Sequence, residues 1–348
     1  MKHVVIGQWR GHPAAALFLD RQLDQLIIAP DALTALPPGT ICRGIVDRLV
    51  KGQGGVFLRL PEGQRGFLRS KGGLREGQPL IVQVSGVPED GKAVPVSDRF
   101  LLRGRHVIVT PGAPGVNVSR QIKDEALRTA LSDLVRDLHP GDDSTTGVII
   151  RSAAADADDA DITAELAPLL DLAQALTADL AGDPQILLDA PQPTDTAWQD
   201  WSDPAPDGIE DGPDAFDHSG ASEAVDALLS PRVDLGGGAF AFIEPTRAAI
   251  CIDVNTGSDH SPAAALKANI AMARDLPRQL RLRGLGGQVV VDFAPVSKRD
   301  RGTIEQVLRA AARPEGGAMT VIGWTAMGLF EVNRKRDRVP LTRLAEGA

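Results

Sequence analysis

The chain has 348 residues and 43% hydrophobic content, enough for two or three domains with buried cores. No stretch approaches the roughly 20 apolar residues of a membrane span, and the first residues lack a secretory signal, so we expect a cytoplasmic protein without a membrane partner. Cys42 and Cys251 lie far apart in apolar runs, which predicts two small core residues and excludes a zinc spacing.

The net charge of −9 is unevenly distributed along the chain. Residues 152–231 contain 19 Asp and Glu and no Lys or Arg. Residues 1–151 carry 20 basic and 15 acidic side chains, and residues 232–348 carry 17 and 12. Because charges in salt are screened over about 10 Å, the two basic flanks are able to bind a polyanion despite the acidic total.

The N-terminal third is predicted to be rich in short strands. Residues 1–36 give three strand candidates, and five more with Gly-rich turns between Gly39 and about residue 99 are typical of an OB-fold barrel. Phe57 and Phe67 stand on the second and third of these five strands. Basic residues surround them: Arg59, Arg65, Arg69 and Lys71. This pattern suits single-stranded nucleic acid, although two core phenylalanines are an equal alternative.

The middle of the chain contains a candidate phosphate site and an acidic stretch. Arg151 and Ser152 close the apolar run TGVII, where a guanidinium and a hydroxyl suit a phosphate; Arg151 as a simple surface charge is the alternative. A helix is predicted over 162–180. The Pro-, Asp- and Gly-rich stretch 191–217 is predicted to be a linker or mobile loop.

The C-terminal part predicts a mixed sheet covered by helices, because strand and helix patterns alternate. Strands are expected near 239–244, 248–254 and 287–292, then at MTVIGWT, with a long helix over 262–284 and a final helix over GLFEVNRKRD. Asp253 and Asp292 end two apolar runs, where a carboxylate is costly unless it meets a cation. They form a candidate site at one sheet edge, or each simply caps its strand.

Several motifs together resemble the ribonuclease E/G family. They are CIDVNTGS (251–258), RQLRLRGLGGQVVVDF (278–293), GLFEVNRKR (328–336), GGVFLRLPEGQRGFLRS, PGAPGVNVSRQI and GVIIRS. The resemblance implies an α+β protein of several subdomains. An RNase H-like subdomain (1–38 and 100–215, with an acidic loop near 191–217) is interrupted by an OB-fold barrel (39–99), and a DNase I-like α/β subdomain (216–348) follows.

The resemblance also implies a metal-dependent endoribonuclease that cleaves single-stranded RNA, such as rRNA precursors or mRNA, to 5′-phosphate and 3′-hydroxyl ends. Asp253 and Asp292 would hold Mg²⁺, with Mn²⁺ as a substitute, and Asn255 would lie near the scissile phosphate. The remaining implied positions fall into two groups. They are Phe57, Phe67, Lys92 and Arg120 for RNA binding, and Gly104, Arg151 and Ser152 for a 5′-monophosphate pocket.

Two departures from the family pattern shape these expectations. The CPxC zinc link is absent from the 348 residues, so we expect no zinc and a monomer or a dimer not bridged by zinc. The turn Thr325–Gly328 replaces one that carries an arginine in the family, which predicts a weakened 5′-end pocket. A non-catalytic RNA-binding or ribosome-associated protein on the same scaffold is the main alternative, and a DNA nuclease is the third.

Overall fold

The computed structural model describes residues 1–347 except 32, 51–53, 70–71, 90 and 140–144. The chain divides into two compact units, Thr34–Asp207 and the combination of Met1–Leu33 with Gly208–Ala348. The first strands therefore belong to one unit with the C-terminal part. The subdomain boundaries predicted from the resemblance, and the RNase H-like and DNase I-like fold types, stay predictions.

The first strands form an antiparallel meander. Their bounds are β1 (Lys2–Trp9), β2 (His12–Leu19) and β3 (Gln22–Ile28). Two-residue turns connect them, and all four turn residues (Arg10, Gly11, Asp20 and Arg21) have positive φ. Positive φ at both central positions matches the right-handed twist of paired strands, which explains these tight hairpins.

The unit Thr34–Asp207 begins with the predicted barrel. Its strands are β4 (Ile41–Val50), β5 (Gly55–Arg59), β6 (Arg65–Arg69), β7 (Pro79–Val84) and β8 (Val94–Ser97). The order β4-β5-β6-β8-β7 closes because β7 also pairs with β4. Alternate residues of the strands, including Val56, Leu58 and Leu68, fill the interior. The closed five-stranded sheet is consistent with an OB-fold.

The rest of this unit is a small sheet with helices against it. Its elements are β9 (Leu102–Arg103), β10 (Val107–Pro111), β11 (Gly115–Val118), α1 (Glu125–Leu138), β12 (Thr146–Ile150), α2 (Asp159–Ala178), β13 (Gln185–Leu188) and α3 (Pro193–Trp201). The sheet order is β11-β12-β10-β9, and residues of α1 and α2 share its core. β13 instead pairs with β4 of the barrel.

The acidic stretch 191–217 is not a continuous loop as predicted, since it contains α3 and a strand. Gln192 and Asp195 form a reciprocal capping box at the start of α3, and Pro193 suits its first turn. Ala197 and Trp201, one turn apart, are buried on one face. Local capping and one apolar stripe thus outweigh the loop-like composition.

The unit that combines Met1–Leu33 with Gly208–Ala348 resumes with a second, larger sheet. Its elements are β14 (Gly208–Asp211), α4 (Ala215–His218), α5 (Ala221–Asp226), β15 (Arg232–Gly236), β16 (Ala239–Pro245), β17 (Ile250–Asn255), α6 (Pro262–Leu282), β18 (Gly287–Asp292), α7 (Lys298–Ala312), β19 (Met319–Trp324), β20 (Phe330–Arg334) and α8 (Leu341–Glu346). β14 pairs with β1, and the other six strands have the order β15-β16-β17-β18-β20-β19. Residues of α6 and α7 share one core with one face of this sheet.

The predicted final helix over GLFEVNRKRD is wrong, because Phe330–Arg334 is a strand between β18 and β19. Phe330 and Val332 are buried, whereas Asn333 is exposed, which is the two-residue alternation of a strand. Pairing on both sides decides the outcome.

Candidate active site

Two neighbouring parallel strands bring Asp253 and Asp292 side by side. β17 pairs with β18, and Asp253 lies directly opposite Asp292 in their register. Ile252 and Val291, the residues before them, are buried on the helix-covered face. Because side chains alternate along a strand, both carboxylates lie on the opposite, exposed face. The predicted meeting of the two carboxylates is thus present.

The charge of this pair is not neutralised within the described part of the chain. No described Lys or Arg forms an ion pair with either Asp253 or Asp292. Like charges directly opposite on a sheet are destabilising. The arrangement therefore favours a cation from solution, since a cation would remove the repulsion.

Asn255 completes the cluster on the same face. Its Nδ2 donates a hydrogen bond of 2.8 Å to Oδ2 of Asp253. The following loop is held close to the β15–β16 turn. Gly257 has φ +70, and a Cβ there would collide with the backbone of Gly238. The glycine thus allows the close approach that keeps the end of β17 against its neighbouring turn.

The donor set fits a hard divalent cation that retains water. Among the described residues there is no group of three or more His, Cys, Asp and Glu that could hold a metal ion. A metal here would therefore have two carboxylates, and waters would complete its coordination. Oxygen ligands with several retained waters are the usual environment of Mg²⁺.

Sequence reasoning missed Asn269, a fully buried residue of α6. Its Nδ2 donates to the carbonyl of Ala294 at 2.8 Å, and its Oδ1 accepts from the backbone N–H of Ala294 at 3.0 Å. Ala294 is two residues beyond Asp292, so Asn269 fixes the chain where β18 ends. An amide inside the otherwise apolar run of a helix was the signal that could have identified it.

Two aromatic residues also lie on the carboxylate face. Phe240 is opposite Asn255 and Phe242 is opposite Asp253 in the β16–β17 register. Both rings are half-buried, and the guanidinium of Arg232 lies 4.0 Å from the centroid of Phe240. Cys251 is on this face too and is exposed, so its predicted place in the core is wrong. It follows the two-residue alternation of β17, whereas Cys42 is buried as predicted.

The barrel carries a second candidate surface on its outside. Phe57 and Phe67 are opposite each other on β5 and β6, with ring centroids 5.5 Å apart in an edge-to-face arrangement. Both rings are half-buried, and their neighbours Leu58 and Leu68 point into the barrel. The rings therefore lie on the outer face, so the alternative that both phenylalanines belong to the barrel core is wrong. Their role in RNA binding stays a prediction.

Arginine side chains flank the ring pair. The guanidinium of Arg65 lies 3.9 Å from the centroid of Phe57, and that of Arg48, which sequence reasoning missed, lies 5.4 Å away. Arg59 and Arg69 are exposed on the same two strands. Lys71 lies outside the described residues. Rings beside cations are an arrangement that suits single-stranded nucleic acids.

The described contacts do not join Lys92 or Arg120 to the ring pair. Lys92 is exposed, three residues before Pro95, the partner of Phe67, and forms an ion pair of 2.7 Å with Glu89. Arg120 is exposed just after β11. Both stay predicted RNA contacts.

Two residues of the predicted 5′-end pocket, Gly104 and Arg151, are in contact, while the pocket itself stays a prediction. Arg151 Nη1 donates to the carbonyl of Gly104 at 2.6 Å, which brings these two residues together. Ser152 follows directly and begins a short 3₁₀ turn, Ser152–Asp156, rather than ending a strand. The same guanidinium also contacts Gln199 and Asp200 of α3. The pocket is therefore coupled to the acidic stretch, a contact that the sequence did not reveal.

Comparison with known proteins gives consistent matches. The model of the Ribonuclease E/G family matches residues 101–211 and 208–337. Ribonuclease E of Nostoc sp. is 28% identical, with 97% of this chain and 56% of the relative covered. Ribonuclease E of Synechocystis sp. is 25% identical, with 97% and 57% covered. Ribonuclease G of Escherichia coli is 28% identical, with 76% and 61% covered.

The chain thus spans less than two thirds of the length of these relatives. In the described part of the chain, no helix is both long and apolar enough for a membrane crossing.

Proposed function

The chain belongs to the ribonuclease E/G family, and from that premise we propose that it is a metal-dependent endoribonuclease acting on single-stranded RNA. The observation that carries the proposal is the direct pairing of Asp253 with Asp292 on an exposed face. The ring pair of the barrel supports an RNA substrate, because stacking accepts any base sequence. rRNA precursors or mRNA are the proposed natural substrates.

Asp253 and Asp292 would hold Mg²⁺, or Mn²⁺ in its place. Such an ion would stabilise negative charge on the phosphate and make a bound water more acidic. Asn255 orients the carboxylate of Asp253 through its existing hydrogen bond. Its amide has a second N–H, which is able to donate to a phosphate oxygen.

The proposed reaction is hydrolysis of a phosphodiester bond. A water oxygen forms a bond to phosphorus and gives up a proton, the bond from phosphorus to the 3′ oxygen breaks, and that oxygen takes up a proton from solvent. The products carry 5′-phosphate and 3′-hydroxyl ends. Phe57 and Phe67 would stack on bases of the same RNA, with the arginines beside them along its phosphates.

A cleavage assay tests this proposal directly. Wild-type protein should cut a 5′-labelled AU-rich RNA in Mg²⁺, and EDTA should stop the reaction. Asp292→Asn should lower the rate by at least about 1000-fold, because one of two metal-holding carboxylates loses its charge. Glu244→Gln, an exposed carboxylate of β16 opposite Cys251, is the matched control and should retain activity.

The same assay separates the alternatives. Equal background cleavage by wild type and Asp292→Asn would reject the enzyme. Salt-dependent RNA binding that EDTA does not change, without turnover, would favour a non-catalytic RNA-binding protein. Cleavage of single-stranded DNA would point to a DNA nuclease. RNAs with 5′-triphosphate, 5′-monophosphate and 5′-hydroxyl ends should be cut at similar rates.

A further inference from the structure

The anion-binding groups near Arg151 are occupied by the protein's own carboxylates. Arg151 Nη2 donates to Asp200 Oδ1 at 2.5 Å, and its Nη1 donates to the carbonyl of Gln199 at 3.2 Å. The other oxygen of Asp200 lies 3.6 Å from Nη1 of Arg103. One carboxylate of α3 therefore bridges two guanidinium groups. Guanidinium groups in this arrangement are typical phosphate binders.

A second carboxylate fills the backbone beside it. Glu165 of α2 accepts hydrogen bonds from three successive backbone N–H groups, those of Arg105, His106 and Val107, at 2.9 to 3.0 Å. A Cβ at Gly104 would collide with this carboxylate, so the glycine makes room for it. Converging backbone N–H groups are a common anion site.

The two carboxylates differ in how firmly they are held. Glu165 has three backbone donors and stands on a helix of 20 residues. Asp200 has two arginine partners and stands on the last turn of α3, a helix of nine residues. Its side chain is 28% exposed, whereas that of Glu165 is 21% exposed. Asp200 is therefore the more replaceable anion, and its replacement would release Arg151.

An open cavity of about 430 Å³ leads to this place. Arg103, Gly104, Arg105 and Glu165 line one part of it, and Trp198 of α3 lines another. The Trp198 side chain is large, apolar and 42% exposed. The volume is sufficient for one nucleotide, and an exposed ring is suited to stacking against a base. Gln199 and Ser202, on either side of Asp200, also line the cavity, and Arg103, which lines it too, lies 3.6 Å from the carboxylate of Asp200.

We infer that Asp200 determines the specificity of this pocket. Its carboxylate takes the position of a terminal phosphate on Arg151 and Arg103, so the pocket accepts an RNA nucleoside end with a 5′-hydroxyl and gains nothing from a 5′-phosphate. The inference rests on the proposed action on RNA and gives it a substrate class. A phosphate would bring a second negative charge to guanidinium groups that are already paired, and like charges repel.

Binding of short RNA ends tests the role of Asp200. The probe is a five-nucleotide single-stranded RNA with either a 5′-phosphate or a 5′-hydroxyl end, measured by calorimetry in EDTA so that no cleavage occurs. Wild-type protein should bind the two within about twofold of each other. Asp200→Asn should prefer the 5′-phosphate by about tenfold, the value of one charge-assisted contact. The double variant Asp200→Asn with Arg151→Gln should lose that preference.

Asp171→Asn is the matched control, since it removes the same charge from an exposed position of α2 without touching Arg151 or the capping box of α3, and it should behave as wild type. Asp200→Ser provides a second route if the asparagine variant folds poorly, as judged by its melting curve. A wild-type preference for the 5′-phosphate of fivefold or more would overturn the inference. It would also be overturned if neither Asp200 variant gained a preference for the 5′-phosphate. Because the readout is binding in EDTA, absent cleavage would reject the proposed function and leave this result standing.

Discussion

Two carboxylate pairs in this protein have opposite surroundings. Asp253 and Asp292 face each other on adjacent strands, exposed and without a described basic partner. Glu165 and Asp200 are surrounded by backbone N–H groups and arginines. All four residues carry a carboxylate. The negative charge of the first pair is available to a ligand, whereas that of the second pair is already paired with donors within the protein.

The difference predicts that Asp253 and Asp292 serve function, whereas Glu165 stabilises the fold. A carboxylate that accepts several internal hydrogen bonds contributes to folding, and its removal leaves donors unpaired. A pair of unneutralised carboxylates opposes folding slightly and is retained when a ligand needs it. Substitutions at Asp292 and at Glu165 should therefore affect stability and activity in opposite ways.

The largest expected contrast is at the exposed pair. Asp292→Asn should abolish most cleavage and weaken Mn²⁺ binding by at least about tenfold, since one of the two proposed charged ligands is lost. Its free energy of unfolding in metal-free buffer should stay within about 0.5 kcal/mol of wild type or rise, because a repulsion is removed. Mn²⁺ titration by paramagnetic resonance and urea unfolding supply the two values. A large stability loss with unchanged Mn²⁺ affinity would make Asp292 a structural residue.

The opposite result is expected at Glu165. Glu165→Gln replaces a charged acceptor of three backbone hydrogen bonds with an amide that has one acceptor oxygen. We expect the free energy of unfolding to fall by about 2 to 3 kcal/mol, since hydrogen bonds to charged groups are strong and buried donors are left unpaired. Urea unfolding followed by circular dichroism measures it. Asp171→Asn, an exposed residue of the same helix, is the control; equal stability of both variants would remove the contrast.

The exposed pair could be anticipated from sequence, whereas the internal pair could not. β17 and β18 are short apolar runs that each reach a carboxylate, and parallel neighbours bring their ends together. The contact of Asp200 with Arg151 joins residues 49 positions apart and depends on α3. That helix was hidden because its cap is Gln192 rather than a serine or threonine, in a stretch rich in Pro and Asp.

Alternation along strands explains the other successes and failures. The two barrel phenylalanines and Cys251 all lie on outward positions of their strands, and β20 alternates although it was predicted as a helix. Which face of a strand is buried depends on what packs against it, and α6 and α7 cover one face of the larger sheet. A single sequence shows the two-residue period of a strand, but it does not show which element covers one of its faces.

The ring pair Phe57 and Phe67 of the barrel allows a test of RNA affinity, in contrast to the carboxylates, which test metal binding and stability. Phe57→Ala should weaken binding of a single-stranded RNA by about tenfold, since stacking of one base is worth about 1 to 3 kcal/mol. Asp292→Asn should change this affinity little in EDTA, because its proposed role is in metal binding and cleavage. Fluorescence anisotropy with a labelled RNA measures both. Leu49→Ala, an exposed apolar residue of β4 in the same barrel, is the control; an equal loss there would indicate a general weakening of the barrel.

Cys251 provides the smallest and most local test, because it reports access to the exposed carboxylate face. Burial raises the pKa of the Cys42 thiol to about 12, so this residue stays a neutral thiol and should resist alkylation in the folded protein. Cys251 is exposed two residues before Asp253 and should react with iodoacetamide, with the site identified by peptide mass spectrometry. RNA with Ca²⁺ should slow this reaction if the RNA covers the carboxylate face. A Cys251→Ser protein should take up no label while folded. If bound RNA left the labelling rate of Cys251 unchanged, the RNA would not cover Asp253 and Asp292.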